Sequence, residues 1–414
     1  MERYKEYKDS GVKWIGEIPS HWDVRRHKYC LPMVKQKSSL LNKVGLENIE
    51  SFSGKYISTE TKYDGDGVDA NKGDILYGKL RPYLAKVWVA EFPCNAVGDF
   101  YVYRSNEQYI MKEYAKWLML SDNFTKICSA STYGAKMPRV SADFIAALSI
   151  PLPPLPEQEK IVDYIESKTS KIYAYVAERE RELQLLNELK ESEIAKVVTQ
   201  GLNPNVKMKE CKTPFLGIIP EHWEERKMKY CFIERSEKNH PDEPILCATQ
   251  SQGVIPQTMY QNRVVVVNKG FEGLKFVKEG DFVISLRSFE GGIEYAYYQG
   301  IISAAYTILT PKETDYADYY KYLFKCSPFI HVLQTCVTGI REGQNINYQM
   351  LSRKFIPLPP LSEQRAIVAY IDDKTAKIES LISELQSEID YLKEYKQRLI
   401  ADCVTGQINV QNEL

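Results

Sequence analysis

Four short stretches of the chain interleave basic, aromatic and amide residues in the way nucleic-acid contact requires. Two lie before the middle of the chain: Tyr77-Gly78-Lys79-Leu80-Arg81-Pro82-Tyr83 and Tyr133-Gly134-Ala135-Lys136-Met137-Pro138-Arg139. Two lie after it: Leu286-Arg287-Ser288-Phe289, and Thr338-Gly339-Ile340-Arg341-Glu342-Gly343-Gln344-Asn345-Ile346-Asn347. Arginine can grip the O6 and N7 edge of guanine bidentately, Asn and Gln can read adenine, and glycine lets backbone amides approach phosphate. The candidate contacts are Lys79, Arg81, Tyr83, Tyr133, Lys136, Arg139, Arg287, Arg341, Gln344, Asn345 and Asn347. Any one of them suits a solvated surface as well, so the stretches count as groups.

Catalytic constellations are missing. The sequence has no Gly-x-x-x-x-Gly-Lys-Ser/Thr phosphate loop and no Gly-x-Gly-x-x-Gly turn between strand and helix. An adenine methylase needs a polar-Pro-Pro-aromatic motif to hold its flipped base. The pairs Pro153-Pro154 and Pro359-Pro360 are flanked by leucines instead. Pro241-Asp242 could open a nuclease motif, but no acidic-x-Lys follows at a useful spacing. His21 and His222 sit in a repeated Pro-x-His-Trp frame, where a structural role beside Trp22 and Trp223 is the simpler reading. The nine cysteines form no Cys-x-x-Cys pair, which suits reduced thiols in a cytosolic protein better than zinc or a disulfide frame. The expectation is a chain with no metal, no bound cofactor and no chemistry of its own.

The elements that position the four stretches are written twice. Trp14-Ile15-Gly16-Glu17-Ile18-Pro19-Ser20-His21-Trp22 returns as Phe215-Leu216-Gly217-Ile218-Ile219-Pro220-Glu221-His222-Trp223, and Lys28-Tyr29-Cys30 as Lys229-Tyr230-Cys231. Gly73-Asp74 is matched by Gly280-Asp281, and Leu80-Arg81 by Leu286-Arg287. Pro151-Leu152-Pro153-Pro154-Leu155-Pro156-Glu157-Gln158 returns as Pro357-Leu358-Pro359-Pro360-Leu361-Ser362-Glu363-Gln364. Between these anchors the halves diverge.

Each Pro-rich run introduces a long heptad helix, since proline cannot continue one and Gly201 and Gly406 supply the stops. The first seam is Val162, Ile165, Ile172, Val176, Leu183 and Leu186, with Arg179 and Glu193 at two d positions as departures. The second is Val368, Ile371, Ile378, Ile382, Leu385, Ile389, Leu392 and Leu399. Five heptads in matching register predict coiled-coil pairing. Strand-like runs include 74–77, 86–89, 100–103, 264–267 and 281–284, and one helical stretch falls near 109–127 and another near 317–337.

A helix of this length spans roughly 60 Å, so a parallel pair would force the second block to bridge that distance. Antiparallel is the economical choice. The expected fold is therefore α+β: two mixed α/β blocks held apart by two long antiparallel coiled-coil helices, a dumbbell with a pseudo-twofold axis. The segments read as block 1–156, helix 157–200, block 201–362, helix 363–406 and tail 407–414.

Composition agrees. The 414 residues are 44% hydrophobic and 26% charged, ordinary for a globular chain of several domains. No apolar run reaches the roughly 18–20 residues of a membrane span, and the start Met1-Glu2-Arg3-Tyr4-Lys5-Glu6 lacks a signal-peptide core. Net charge is −1, but residues 1–150 carry +4 and 201–356 carry +2, against −3 for 151–200 and −4 for 357–414. Nucleic-acid contact is thus confined to the two basic blocks.

With its Gly-x-Ile-Pro-x-His-Trp openings at Gly16 and Gly217, its Gly-Asp strand starts and its Pro-Leu-Pro-Pro-Leu-x-Glu-Gln runs before heptad helices, the sequence resembles the specificity (S) subunits of Type I restriction–modification systems. The resemblance covers nearly the whole chain. It implies two target recognition domains, each reading half of a bipartite double-stranded DNA sequence. It implies that the helices dock two methyltransferase (M) subunits, which carry S-adenosylmethionine, and through them motor-nuclease (R) subunits that use ATP and Mg²⁺. The chain itself would then be a cytoplasmic, non-catalytic reader. A nuclease fusion would need a catalytic block that is absent, and an orphan S-like scaffold with altered partners is the alternative. A gel shift with and without a methyltransferase separates these readings.

Overall fold

The computed structural model describes residues 2–260, 270–313, 317–339 and 345–411. The strand-like run 264–267 and the candidates Arg341 and Gln344 lie outside them. The chain divides into two compact units. One joins Met1–Glu180 to Gln386–Leu414, and the other is Arg181–Leu385. The long helices run Leu155–Gln200 and Leu361–Val404. Each of them therefore gives one part to each unit. No helix among the described residues is long and apolar enough to cross a membrane, and all nine cysteines are buried and free.

In the first unit a four-stranded antiparallel sheet is ordered Met33–Val34, Phe100–Tyr103, Ile75–Gly78, Val87–Val89. The second unit repeats it as Phe232–Arg235, Thr307–Pro311, Phe282–Ile284, Glu294–Tyr295. The paired Gly-Asp motifs open the same strand in both. Gly73 and Gly280 take positive φ (92° and 86°), which only glycine adopts without strain. Asp74 and Asp281 then close the turn on the backbone N–H of Asn71 and Lys278, each at 2.8 Å. Arg104 clamps Asp74 bidentately at 2.8 and 2.7 Å, whereas Asp281 takes its arginine, Arg235, from a different strand.

The helical stretches near 109–127 and 317–337 are each two helices rather than one: Lys112–Leu120 with Asp122–Ala130, and Ala317–Leu323 with Ser327–Gln334. Ser121 is extended (φ −64°, ψ 146°) and caps the second helix of its pair through the Phe124 N–H. Cys326 is likewise extended, and Pro328 starts the next helix where its missing N–H costs nothing.

Within each unit the two helix segments run antiparallel. In the first, Tyr173 lies opposite Lys396 and Arg179 opposite Glu388. In the second, Lys190 lies opposite Glu379 and Glu193 opposite Tyr370. Val162, Ile165, Val176, Ile389, Leu399 and Ile371 are buried. The other seam residues, Ile172, Leu183, Leu186, Val368, Ile378, Ile382, Leu385 and Leu392, are half-buried. The two departures from the heptad are answered across the pair. Arg179 faces Glu388 and lies over the Tyr175 ring, and Glu193 accepts a 2.6 Å bond from the Tyr370 hydroxyl.

Each unit builds the same socket for helix ends. Trp22 and Trp223 are fully buried, and the stop glycine of one helix seats on each: Gly406 against Pro19 and Trp22, Gly201 against Trp223 and Pro220. Tyr114 donates to the Val404 carbonyl (3.0 Å) and Tyr319 to that of Val198 (2.5 Å). The following helix starts in the same socket. Glu157 accepts from Tyr4 and pairs with His21 at 2.8 Å, while Glu363 pairs with His222 at 2.7 Å and accepts from Trp223 Nε1 at 2.9 Å. Gln158 and Gln364 fold back on the carbonyls of Pro153 (2.9 Å) and Pro359 (2.8 Å). Both histidines of the repeated frame thus hold a helix start.

Candidate nucleic-acid interface

The two sequence stretches of the first unit come together. Strand Ile75–Gly78 ends at Lys79, whose N–H donates to the Asp99 carbonyl and whose own carbonyl accepts from Val140. The Arg81 N–H donates to Pro138 at 2.8 Å, and Tyr133 and Arg139 exchange two 3.0 Å backbone bonds across the intervening turn. Gly134 sits in that turn at φ 89°. Arg81 itself is left-handed (φ 49°, ψ 62°), a conformation costing a non-glycine residue on the order of 1–2 kcal/mol, and it turns the chain into the Pro82–Leu84 turn.

The side chains divide by what they already touch. Arg139 is committed: both arms of its guanidinium bind the Asp99 carboxylate at 2.9 Å, and Lys79 stands 3.8 Å from the same group and over the Tyr101 ring. Asp99 therefore fixes the floor of the site, a role its sequence context did not reveal. Above it Arg81, Tyr83, Tyr133, Lys136 and Met137 are exposed. They form a rigidly based basic and aromatic surface.

In the second unit Leu286 and Arg287 are exposed at the end of strand Phe282–Ile284, and buried Ser288 accepts from the Ser285 N–H at 2.8 Å to shape the turn. That turn lies against the strand Asn345–Ile346, which pairs with Val337–Thr338. Asn345 is exposed, though its Oδ1 accepts from the next N–H (2.9 Å). Asn347 accepts from Met350 N (3.2 Å) and caps the turn Tyr348–Leu351, as Ser141 caps Ala142–Ala147 in the first unit. The loops occupy matching places; their contents differ. Among the described residues no group of three or more His, Cys, Asp or Glu side chains could hold a metal.

The comparisons with known proteins meet this architecture directly. A family model described as "Type I restriction modification DNA specificity domain" matches the chain twice, over residues 28–184 and 206–391. The chain belongs to this specificity family. The putative type I restriction enzyme MjaX specificity subunit of Methanocaldococcus jannaschii is 27% identical, covering 98% of both chains. The EcoDI specificity subunit of Escherichia coli is 30% identical over 44% of this chain and 43% of its own. Among solved structures, a chain from a study of complex assembly and conformational transition of the type I R-M system superposes with TM-score 0.71 at 22% identity, over 94% of this chain and 99% of that one. The HsdS subunit from Thermoanaerobacter tengcongensis gives TM-score 0.50 at 21% identity, over 94% and 98%. The two matches of the specificity family model each span one set of candidate loops and much of the helix after it.

The division into committed and free side chains carries a prediction. Arg81→Ala, with no side-chain partner among the described residues to strand, should relax one position of target discrimination by about 1–3 kcal/mol if it reads a base, or weaken all sequences alike if it holds phosphate. Arg139→Ala should instead disturb the loop, because it leaves Asp99 without its bidentate partner. Binding titrations on a panel of duplexes separate the two patterns, and wild-type behaviour in both variants would remove this surface from DNA contact.

Proposed function

We propose that this chain is the DNA-reading subunit of a Type I restriction–modification complex, with one half of a bipartite target read by each unit. The observation that supports it most is the contrast inside each unit. The frame that seats the helices is repeated at the positions that build it, the Gly-x-Ile-Pro-x-His-Trp and Pro-Leu-Pro-Pro-Leu-x-Glu-Gln segments, while the loops that carry exposed arginine, tyrosine and amide side chains are not. Two readers on one frame are what a two-part, asymmetric target requires. Methyl transfer and cleavage then belong to partner subunits with S-adenosylmethionine, ATP and Mg²⁺, inside the cell where the DNA is. Mapping the methylated adenines of a host that carries the intact system tests this in one step. A two-part motif with a constant gap is the expected result, and a continuous motif or none overturns it.

Docking of two methyltransferases on the helices is supported by what the seam leaves over. Leu185, Leu189 and Leu381 are exposed in the second unit, at the c and g positions of their heptads. The matching positions in the first unit are Tyr391, Tyr395 and Tyr175, also exposed. Large apolar side chains kept in water at the same register in both halves suit burial by a partner. Leu185→Asp with Leu189→Asp should therefore lower the captured methyltransferase from two copies to one, read by native mass spectrometry. Retention of both copies would place the docking face elsewhere.

A further inference from the structure

The repeated Lys-Tyr-Cys anchor has no part in the socket, the seam or the reading loops. It belongs to a longer duplicated motif, Arg25-Arg26-His27-Lys28-Tyr29-Cys30 and Arg226-Lys227-Met228-Lys229-Tyr230-Cys231. Each forms a one-turn helix, His27–Cys30 and Met228–Cys231. The third and sixth residues are buried and pin the turn, helped by bonds from the His27 and Met228 N–H to the Leu148 (2.7 Å) and Lys354 (3.0 Å) carbonyls. His27 has methionine as its counterpart. Neither of its ring nitrogens is hydrogen-bonded and burial pushes its pKa down to about 3, so it packs as a neutral ring.

What remains faces water. Tyr29 and Tyr230 are 56% and 57% exposed, and in each unit the lysine Nζ stands 5.0 Å from the ring centroid. Neither Lys28 nor Lys229 has a carboxylate partner among the described residues. Arg26 is exposed beside the first pair, and Lys227 lies over the Phe355 ring beside the second. An exposed cation–π pair contributes only about 0.5–1 kcal/mol to a fold. Folding therefore gives little reason for two divergent units to hold the same pair at the same distance and exposure. A ligand common to both units gives one.

We infer that Lys28–Tyr29 and Lys229–Tyr230 are sequence-independent clamps on the DNA phosphate backbone, one in each unit, an inference that rests on the DNA-reading function above. The chemistry fits a ligand that is the same at every target. A lysine ammonium is a point charge for phosphate, and a tyrosine hydroxyl donates to phosphate or sugar oxygens without reading a base. Placement fits as well. In the first unit the turn leads into Met33–Val34, paired with Val102 and Tyr103 of the strand Phe100–Tyr103, whereas the reading loop joins the other end of Phe100–Tyr103 beside Asp99. The two sites are thus about a strand length apart, on the order of 10–15 Å. A duplex carries one phosphate charge per roughly 1.7 Å of its axis, so a duplex held on the loops presents several phosphates over that distance.

The test is fluorescence anisotropy of the full chain on a random-sequence duplex across a salt series. Lys28→Ala with Lys229→Ala should weaken binding about tenfold or more and lower the log–log salt slope by about two units, one per phosphate contact. Lys28→Arg with Lys229→Arg should restore the slope, and both variants should melt like wild type because the side chains are exposed. Discrimination between target and random duplex, measured with the methyltransferase-bound complex, should be unchanged. A slope left at the wild-type value overturns the clamps, as does a loss of methyltransferase binding with DNA binding intact, which would make the motif a protein-docking surface. Wild-type chain that shows no salt-dependent binding to any duplex would bring down the DNA-reading function itself, and the clamps with it.

Discussion

Exchanging residues 201–356 for the same block of a relative with a different target should change one half of the methylated sequence and leave the other half as it was. The reason lies in how the cores are built. The first unit's main core takes its members from residues 15–165 and 399–410, and its second cluster from 44–102, so the exchange removes none of them. The second unit's clusters lie between Val197 and Ile371 and would be replaced nearly whole. Sites that share no partners have additive energies to within a few tenths of a kcal/mol. The exchange has one structural demand. Val197, Val198, Ile367 and Ile371 stay behind on the helices and pack against the new block. A donor lacking the Tyr319 hydroxyl would leave the buried Val198 carbonyl unpaired, at about 1–3 kcal/mol. Sequencing of methylated adenines in cells carrying the chimera reads the outcome. A change in both halves of the motif would show that the reading surfaces are not independent.

The second large effect is expected at a glycine. Gly406 has φ 72°, and a Cβ there would stand 2.4 Å from Pro19 Cδ and 3.1 Å from Trp22 Cη2. The proline ring is held in the strand Glu17–Pro19 and Trp22 is fully buried, so neither neighbour can give way cheaply. Left-handed strain and overpacking together predict that Gly406→Ala destabilises the first unit by about 2–5 kcal/mol. Gly201, at φ 73°, is the matched control. Its Cβ would meet Trp223 Cζ2 at 3.2 Å and Pro220 Cγ only at 3.7 Å, with no counterpart of the 2.4 Å proline clash, so Gly201→Ala should cost less, about 1–2 kcal/mol, and fall on the second unit. Calorimetry of the full chain, with hydrogen exchange to assign the transitions, separates the two. Equal shifts, or a shift in the wrong unit, would contradict the socket.

The sequence made the local and periodic features plain. Heptads announce their own helices, and the duplicated Gly-Asp turns need nothing beyond four neighbouring residues. Pairings between distant residues stayed hidden. Arg139 looked free in its loop because Asp99 lies forty residues upstream, and nothing local ties them. Arg104, just after the strand Phe100–Tyr103, and Arg235, at the end of Phe232–Arg235, serve matching aspartates from non-equivalent places, so the repeat itself misleads there. That Asn347 caps the turn Tyr348–Leu351 through Oδ1 was not legible either. The linear order of blocks and helices also conceals that each compact unit needs a part of both helices, which follows only from long-range antiparallel pairing. Glu157 and Glu363 could have been found, since they recur with the histidines they hold.

The discontinuity of the first unit has a consequence for synthesis. Chains emerge from the ribosome at about 5–20 residues per second and domains generally fold as units, N-terminal first. Here that order is reversed. The second unit is one contiguous segment, Arg181–Leu385, and can close before the chain is finished. The first is complete only when Leu399, Ile400, Cys403 and Val404 join the core built from residues 15–165, so the part of its apolar surface that they cover stays open through the making of the second. Of the two units, the one that begins earlier in the chain is therefore the one completed later.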